Sequence, residues 1–304
     1  MSVSDIGFEG QVVIITGGGQ GLGASHACEF ARLGARVVIN DIPRDGDELS
    51  KAELLVQEIR DGGGEAVFAP AYIGSIEAAK SIVDVALNAF GRVDILVNNA
   101  GITLDKMFHK MPQDSISKVL AIHLVGAAHL TRIVWEMMKE QGFGRIVNTT
   151  SAASFGNAGQ GNYASAKAGL IGLTNSLAQE AELHGIRVNA IAPIARTPMT
   201  DELFQKMGID LPLDPGDVTP VVISLCDPSE ACVNGRIIGC ASGQLMEIKL
   251  AVVWRQNVAP AGELTPEAVR DVLANPPQGQ EPFYPTNMND EIGRFITELM
   301  AVTV

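Results

Sequence analysis

The chain has 304 residues, enough for one large domain or two small ones with a full hydrophobic core. Apolar residues make up 46% and charged residues 19%, which excludes a disordered tail or a coiled coil. A formal charge of −13 argues against a nucleic-acid partner, which needs clustered positive charge.

The first ten residues carry neither a basic nor an apolar segment, so no secretory leader is expected. No apolar run approaches the ~18 residues of a membrane span, so no membrane insertion is expected. Cys28, Cys226, Cys232 and Cys240 lack zinc-ligand spacing. No metal is therefore expected, and the cysteines read as reduced, mostly buried thiols of a cytoplasmic protein.

In chain order, short apolar runs predict strands at Val12–Thr16, Arg36–Asn40, Glu65–Ala69, Val93–Val97, Arg145–Thr149, Arg187–Ala192 and Gly235–Cys240. Between them lie stretches of helical periodicity, clearest at Glu48–Arg60 and Ile76–Phe90. Gly34, Gly62–Gly64 and Gly91 stand where helices should stop. The alternation predicts an α/β fold: a doubly wound parallel sheet of about seven strands with helices on both faces. A Pro-marked stretch, Pro193–Asp217, follows the sixth strand and reads as a lid or loop. The pattern then breaks. Residues 1–250 read as one domain, and 251–304 as an extension with short helices near Thr265–Leu273 and Asp290–Met300. That extension is expected to pack on the domain or on a neighbouring subunit.

The first strand runs into Thr16-Gly17-Gly18-Gly19-Gln20-Gly21-Leu22-Gly23 and then a helix. Glycines let the backbone approach a pyrophosphate closely, and the helix N-terminus offers free N–H groups. Gly17, Gln20, Gly21, Leu22 and Gly23 are therefore cofactor candidates. Asp41 ends the second strand, where a carboxylate binds ribose hydroxyls and repels a 2′-phosphate. This favours NAD; Arg44, three residues later, is the residue that would argue otherwise.

Tyr163 and Lys167 are four apart and share a helix face. An ammonium beside a phenol favours phenolate, so Lys167 is expected to lower the Tyr163 pKa and let it exchange a proton as general acid/base. Ser151 follows the fifth strand and can polarise the same substrate oxygen.

With these motifs and Asn98-Asn99-Ala100-Gly101 after the fourth strand, residues 8 to about 245 resemble the short-chain dehydrogenase/reductase family. The resemblance implies a Rossmann-type fold and hydride transfer between a secondary alcohol and NAD. It implies that Lys167 also holds the nicotinamide ribose, and that Tyr163, Asn98, Asn99, Ala100, Gly101, Pro193 and Thr197 contact the cofactor. Most members carry an asparagine relay residue where this chain has His123, which titrates near neutral pH when free. Where an aspartate commonly meets adenine, the chain has Tyr72 followed by Ile73, and Ile73 is assigned to the cofactor site.

His123, Phe143–Ile146, Gly156–Gln160 and Leu264–Arg270 resemble the (3R)-hydroxyacyl-CoA dehydrogenase / 17β-hydroxysteroid dehydrogenase type 4 branch. That branch implies an apolar alcohol/ketone substrate: a 3-hydroxyacyl-CoA, a steroid side-chain CoA thioester or a 17β-hydroxysteroid. Lys106 and Lys110 are candidates for CoA phosphates. Met199, Leu203, Phe204, Met207, Ile209, Leu211 and Leu213 read equally as a substrate cover or as ordinary packing. The alternatives are a 3-oxoacyl-thioester reductase, a dehydrogenase of another apolar alcohol, a dehalogenase or epimerase on the same scaffold, and a silent NAD-binding regulator. The family also implies a homodimer or homotetramer built on the helices containing Leu120–Met138 and Ala164–Leu177.

Overall fold

The computed structural model describes residues 6–42, 49–208, 210–229, 233–254, 256, 258 and 263–302. Arg44, Cys232, Ile209 and Glu48, all named above, lie outside the described residues. The chain divides into two compact units, Met1–Glu247 and Ile248–Val304.

Among the described residues the first unit holds eight strands: β1 (Val12–Thr16), β2 (Arg36–Asp41), β3 (Glu65–Pro70), β4 (Ile95–Asn98), β5 (Gly144–Thr149), β6 (Ile186–Pro193), β7 (Ile237–Ala241) and β8 (Gln244–Glu247). They form one sheet in the order β3-β2-β1-β4-β5-β6-β7-β8. β1 to β7 pair in parallel, with Val13 opposite both Val37 and Ile95. This is a Rossmann-type doubly wound sheet, with its switch point between β1 and β4. Its helices are α1 (Gly21–Arg32), α2 (Lys51–Asp61), α3 (Ile76–Phe90), α4 (Gln113–Leu120), α5 (Gly126–Gln141), α6 (Gly161–Ala181), α7 (Asp201–Lys206) and α8 (Thr219–Cys226).

Strand alternation divides the core into two layers. Val13, Ile15, Val37, Ile39, Ile95 and Val97 pack against Phe30 of α1, Leu55 and Ile59 of α2, and Val222 of α8. Val12, Ile14, Val38 and Leu96 face the other way, onto Ile82 and Val83 of α3 and Leu130, Val134 and Met138 of α5. Both faces of the inner strands are thus covered, which is why they read as unbroken apolar runs rather than alternating ones. Each fully buried Ile, Leu or Phe contributes roughly 1.5–3 kcal/mol of transfer free energy.

Two sequence expectations change, and one helix is notable for its length. β8 adds an antiparallel eighth strand: Ser242 and Gly243 take φ of 38° and 81°, turning β7 back on itself. All four β8 residues are exposed, so no apolar run betrays the strand. α2 starts at Lys51 because Ser50 and Glu53 form a reciprocal capping box, with Ser50 N–H donating to Glu53 Oε2 at 2.8 Å. Finally, Gln113–Gln141 is one helical run of 29 residues, long and apolar enough by length and composition to cross a membrane. Here it packs Leu130, Val134 and Met138 into the core. Its middle turn, Ala121–Val125, widens to π geometry.

In the second unit, Val252 and Phe283 exchange two backbone hydrogen bonds of 2.8 and 2.9 Å. It also holds α9 (Pro266–Ala274), capped by Thr265, and α10 (Met288–Val302).

Candidate active site

A cleft of about 220 Å³ opens at the carboxyl ends of β1, β4, β5 and β6. Parallel strands place the residues that follow them on one edge, and the switch point keeps the connections from covering that edge. The cleft brings together Gly17, Gln20, Gly21, Leu22 and Asp41 with Asn99, Ala100 and Gly101. Its remaining walls include His123, Ser151, Tyr163, Lys167, Pro193 and Thr197.

One end is built largely of backbone. α1 starts at Gly21 with no side-chain cap on its N-terminus, leaving its first-turn N–H groups for another acceptor. Gly17 has φ +61°, and a Cβ there would lie 2.9 Å from Ala100 Cα. At Gly23 a Cβ would lie 2.2 Å from Gly17 O, so α1 can follow the loop this closely only with glycine. Asp41 Oδ2 accepts from Gly19 N at 2.9 Å, and Asn99 Nδ2 donates to Thr16 O and Gly17 O at 3.0 and 3.1 Å. The loop is thereby tied to the ends of β2 and β4. Bare backbone, an uncapped helix N-terminus and a carboxylate at the far edge fit a dinucleotide's pyrophosphate and ribose.

The other end is built of buried side chains. Tyr163 and Lys167 share one face of α6, with the Lys167 Nζ 5.5 Å from the phenol ring centre. Lys167 Nζ donates to Thr149 O at the end of β5. Burial drives the ammonium down to about 7. Burial also pushes the Tyr163 phenol above its ordinary value; a hydrogen bond with Ser151 pulls it down, and Asp105 adds to the rise. The expected lowering by Lys167 does not govern this phenol. Desolvation governs it instead, and burial has also lowered the amine itself.

His123 lies on the π turn, 3% exposed, with its ring edge-on to Tyr163 at 5.1 Å. Its Nε2 lies within hydrogen-bond distance of both backbone groups of Ile102, 2.9 Å from N and 2.8 Å from O, while its Nδ1 is buried without a protein partner. A Cβ at position 101 would lie 2.3 Å from His123 Cε1, so Gly101 makes room for the ring. Burial first, and then Lys167, push this imidazole down to about 3. Unlike a free imidazole, it stays neutral near pH 7.

Other expected residues are placed elsewhere. Asn98 points into the sheet, not into the cleft: its Nδ2 donates to Asn148 Oδ1 at 2.9 Å, and Asn148 Nδ2 donates to Thr174 Oγ1 at 3.0 Å. Register explains this, because Asn98 and Asn148 are paired neighbours on β4 and β5. Ile73 is core, 6% exposed, and Gly23 supports the loop from behind; neither lines the cleft. Tyr72 is 57% exposed and likewise absent from the lining. Among the described cysteines, Cys226 and Cys240 are buried but Cys28 is exposed. No group of three His, Cys, Asp or Glu side chains gathers among the described residues.

Thr149 and Thr150 were not foreseen. Thr149 O receives Lys167 Nζ, and Thr150 Oγ1 donates to Lys167 O at 2.7 Å. Their only sequence signal is their place just before Ser151. Pro198, Met199 and Thr200 also line the cleft. Thr200 Oγ1 ties their turn to Ala195 O at 2.6 Å, and Arg196 pairs with Asp201 at 2.7 Å.

Residues 11–208 match the short chain dehydrogenase family. The chain belongs to the short-chain dehydrogenase/reductase family, oxidoreductases that act on CH–OH groups and typically use NAD(P). It is 37% identical over 94% of its length to peroxisomal multifunctional enzyme A of Dictyostelium discoideum, spanning 64% of that protein. With peroxisomal multifunctional enzyme type 2 of Mus musculus it is 40% identical over 88% of its length, but spans only 37% of that protein. A relative of similar size is the (2S)-[(R)-hydroxy(phenyl)methyl]succinyl-CoA dehydrogenase subunit BbsD of Thauera aromatica, 37% identical over 79% of this chain and 98% of that one. Among solved structures, a short chain dehydrogenase from Mycobacterium avium matches with a TM-score of 0.76 at 35% identity, covering 88% of this chain and 94% of that one.

Proposed function

We propose that this chain is an NAD-dependent dehydrogenase interconverting a secondary alcohol and a ketone on a 3-hydroxyacyl-CoA or a related apolar substrate. The observation that carries the reading is the convergence of Ser151, Tyr163, Lys167 and His123 in one cleft with a glycine-rich phosphate loop. Bound NAD supplies the hydride acceptor. Gly17, Gln20–Leu22 and Asn99–Gly101 would hold it, with Gly23 backing the loop, Asp41 on the adenosine ribose and Pro193, Thr197 and Lys167 toward the nicotinamide end. In oxidation Tyr163 takes the proton from the substrate hydroxyl, and Ser151 donates a hydrogen bond to the same oxygen. In reduction Tyr163 returns that proton. His123, neutral with a free Nδ1, orients a hydrogen-bonding partner beside the phenol.

The substrate class rests on the rim. Leu104, Met107, Phe108 and Phe155 are exposed on the segments that follow β4 and β5, and Met199 on the one after β6. Lys106 and Lys110 are solvent-exposed cations in the post-β4 segment, suited to CoA phosphates. The Thauera relative, whose name specifies a hydroxyacyl-CoA-type thioester, supports the same class. A 17β-hydroxysteroid is the competing apolar alcohol.

The test is NADH formation from NAD⁺ across short and long 3-hydroxyacyl-CoAs, steroid side-chain CoA thioesters and 17β-hydroxysteroids, repeated with NADP⁺. Turnover of a CoA thioester with NAD⁺ supports the reading. Turnover of steroids alone moves the substrate class, and silence with tight NAD⁺ binding overturns catalysis. We infer association into a dimer or tetramer through α5 and α6, read by light scattering. The cytoplasmic placement is likewise our proposal, read by fractionation; the Dictyostelium and mouse relatives are named as peroxisomal.

A further inference from the structure

The Asp41 carboxylate and the first turn of α2 meet over the phosphate loop. Asp41 Oδ2 accepts from Gly19 N at 2.9 Å, and Oδ1 accepts from Ile42 N at 2.8 Å. A Cβ on Gly19 would lie 2.7 Å from that Oδ2 and 3.1 Å from Ala52 N, so a side chain there would press on both. Lys51, the residue before Ala52, reaches across this junction: its Nζ donates to Gln20 Oε1 at 2.8 Å. Gln20 in turn lines the cleft and leaves its own helix uncapped.

Two consequences follow from the chemistry of that bond. An ammonium only donates, so the Gln20 oxygen faces Lys51 and the amide nitrogen is left to donate elsewhere. The bond also fixes where a positive charge stands. His123 and Lys167, the basic residues that line the cleft, belong to its catalytic end. Among the described residues, none that lines the phosphate end is a cation, and Lys51 is bonded to one that does. Its own helix does not account for it. Lys51 is exposed and is the first residue of α2, where the helix dipole favours carboxylates such as Glu53 and disfavours an ammonium.

We propose that Lys51 is a specificity-determining residue for the dinucleotide: held by Gln20 at the loop that Asp41 also grips, its ammonium lessens the site's rejection of a 2′-phosphate. In our reading Asp41 bonds the adenosine ribose. A phosphate on the 2′-hydroxyl would bring about 1.5–2 negative charges toward that carboxylate. The ammonium on the neighbouring loop residue offsets part of the repulsion, and the Gln20 amide offers N–H donors to the phosphate oxygens. Asp41 thus sets the preference for NAD, and Lys51 sets how steep that preference is.

The inference rests on the reading of this cleft as a dinucleotide site, and its test is binding rather than turnover. Fluorescence titration gives Kd for NADH and NADPH in the parent, Lys51→Arg, Lys51→Gln and Lys51→Glu. Lys51 is exposed, so the variants should keep the parent's circular dichroism and Tm. The expected result is a Kd ratio, NADPH over NADH, that rises about fivefold in Lys51→Gln, the effect of one partly screened charge. It should rise further in Lys51→Glu and stay at the parent value in Lys51→Arg. High salt should narrow the differences, and NADH affinity should change far less than NADPH affinity. A ratio unmoved in both Lys51→Gln and Lys51→Glu overturns the proposal. Equal losses for the two nucleotides also overturn it, because the bond would then only steady the loop. A parent that binds neither nucleotide sinks the underlying reading instead.

Discussion

The two ends of the cleft solve opposite problems. At the phosphate loop the working groups are backbone N–H groups, and the side chains around them are small or hydrogen-bonded: Asn99 to Thr16 O and Gly17 O, Asp41 to Gly19 N. At the Tyr163 end the working groups are titratable side chains held away from water, each displaced from its ordinary pKa. A cradle for a fixed negative charge needs rigidity and close approach. A proton-exchange site needs groups whose charge state is easily moved, and burial does that. The first end should therefore respond to added atoms, and the second to removed protons and hydroxyls.

The sharpest break is Tyr163→Phe. We expect turnover to fall by about 10²–10⁴-fold while NAD binding, followed by fluorescence titration, stays near normal. Retained turnover would remove Tyr163 from the mechanism. Gly23→Ala should do the reverse, because its Cβ meets backbone at 2.2 Å. Cofactor binding should weaken by about 100-fold, with Ser151 and Tyr163 left in place. Normal NAD affinity in that variant would show that the loop can relax.

Asp41→Ser removes the carboxylate that faces the adenosine ribose in our reading. The NAD⁺ over NADP⁺ preference in kcat/KM should drop about tenfold. An unchanged ratio would place specificity elsewhere. Oxidation should also speed up as pH rises above neutral, since burial keeps the phenol protonated there. A flat oxidation profile in steady-state assays from neutral to alkaline pH would contradict this.

The last test sharpens the comparison through stability rather than turnover. His26, behind the phosphate loop on α1, and His123, beside Tyr163, are both pushed down to about 3. The folded protein keeps them neutral, while the unfolded chain protonates them below about 6.5. Stability therefore falls as pH drops from about 6.5 toward 3, by up to about 1.4 kcal/mol per pH unit for each histidine. His26→Asn and His123→Leu should each flatten that acid arm of the Tm-versus-pH curve, and only His123→Leu should lower turnover. An unchanged acid arm in both would assign the loss to carboxylates.

Much of the scaffold was legible because its signals are local. Ile76–Phe90 reads as a helix from spacing alone and is one. The Ser50–Glu53 pair is visible in the sequence and would have placed the start of α2. β8 was not legible: its residues face solvent, and only the Ser242-Gly243 turn hints at a hairpin. Asn98 looked like a cofactor ligand because it sits in the right motif, but strand pairing turned it toward Asn148.

The sequence by itself determined the parallel sheet, the phosphate loop after β1, and Tyr163 and Lys167 on one helix face, because apolar runs, glycines and four-residue spacing act over short stretches of chain. Only the tertiary structure decided which groups are charged. His123 is neutral because burial, and then Lys167 from α6, disfavour its charge, against the pull of the Ile102 backbone from the segment after β4. Lys167 is held near 7, and the phenol above its usual value, because strands and helices distant in sequence exclude water from them. Desolvation depends on everything that surrounds a group, and no local pattern of residues encodes it.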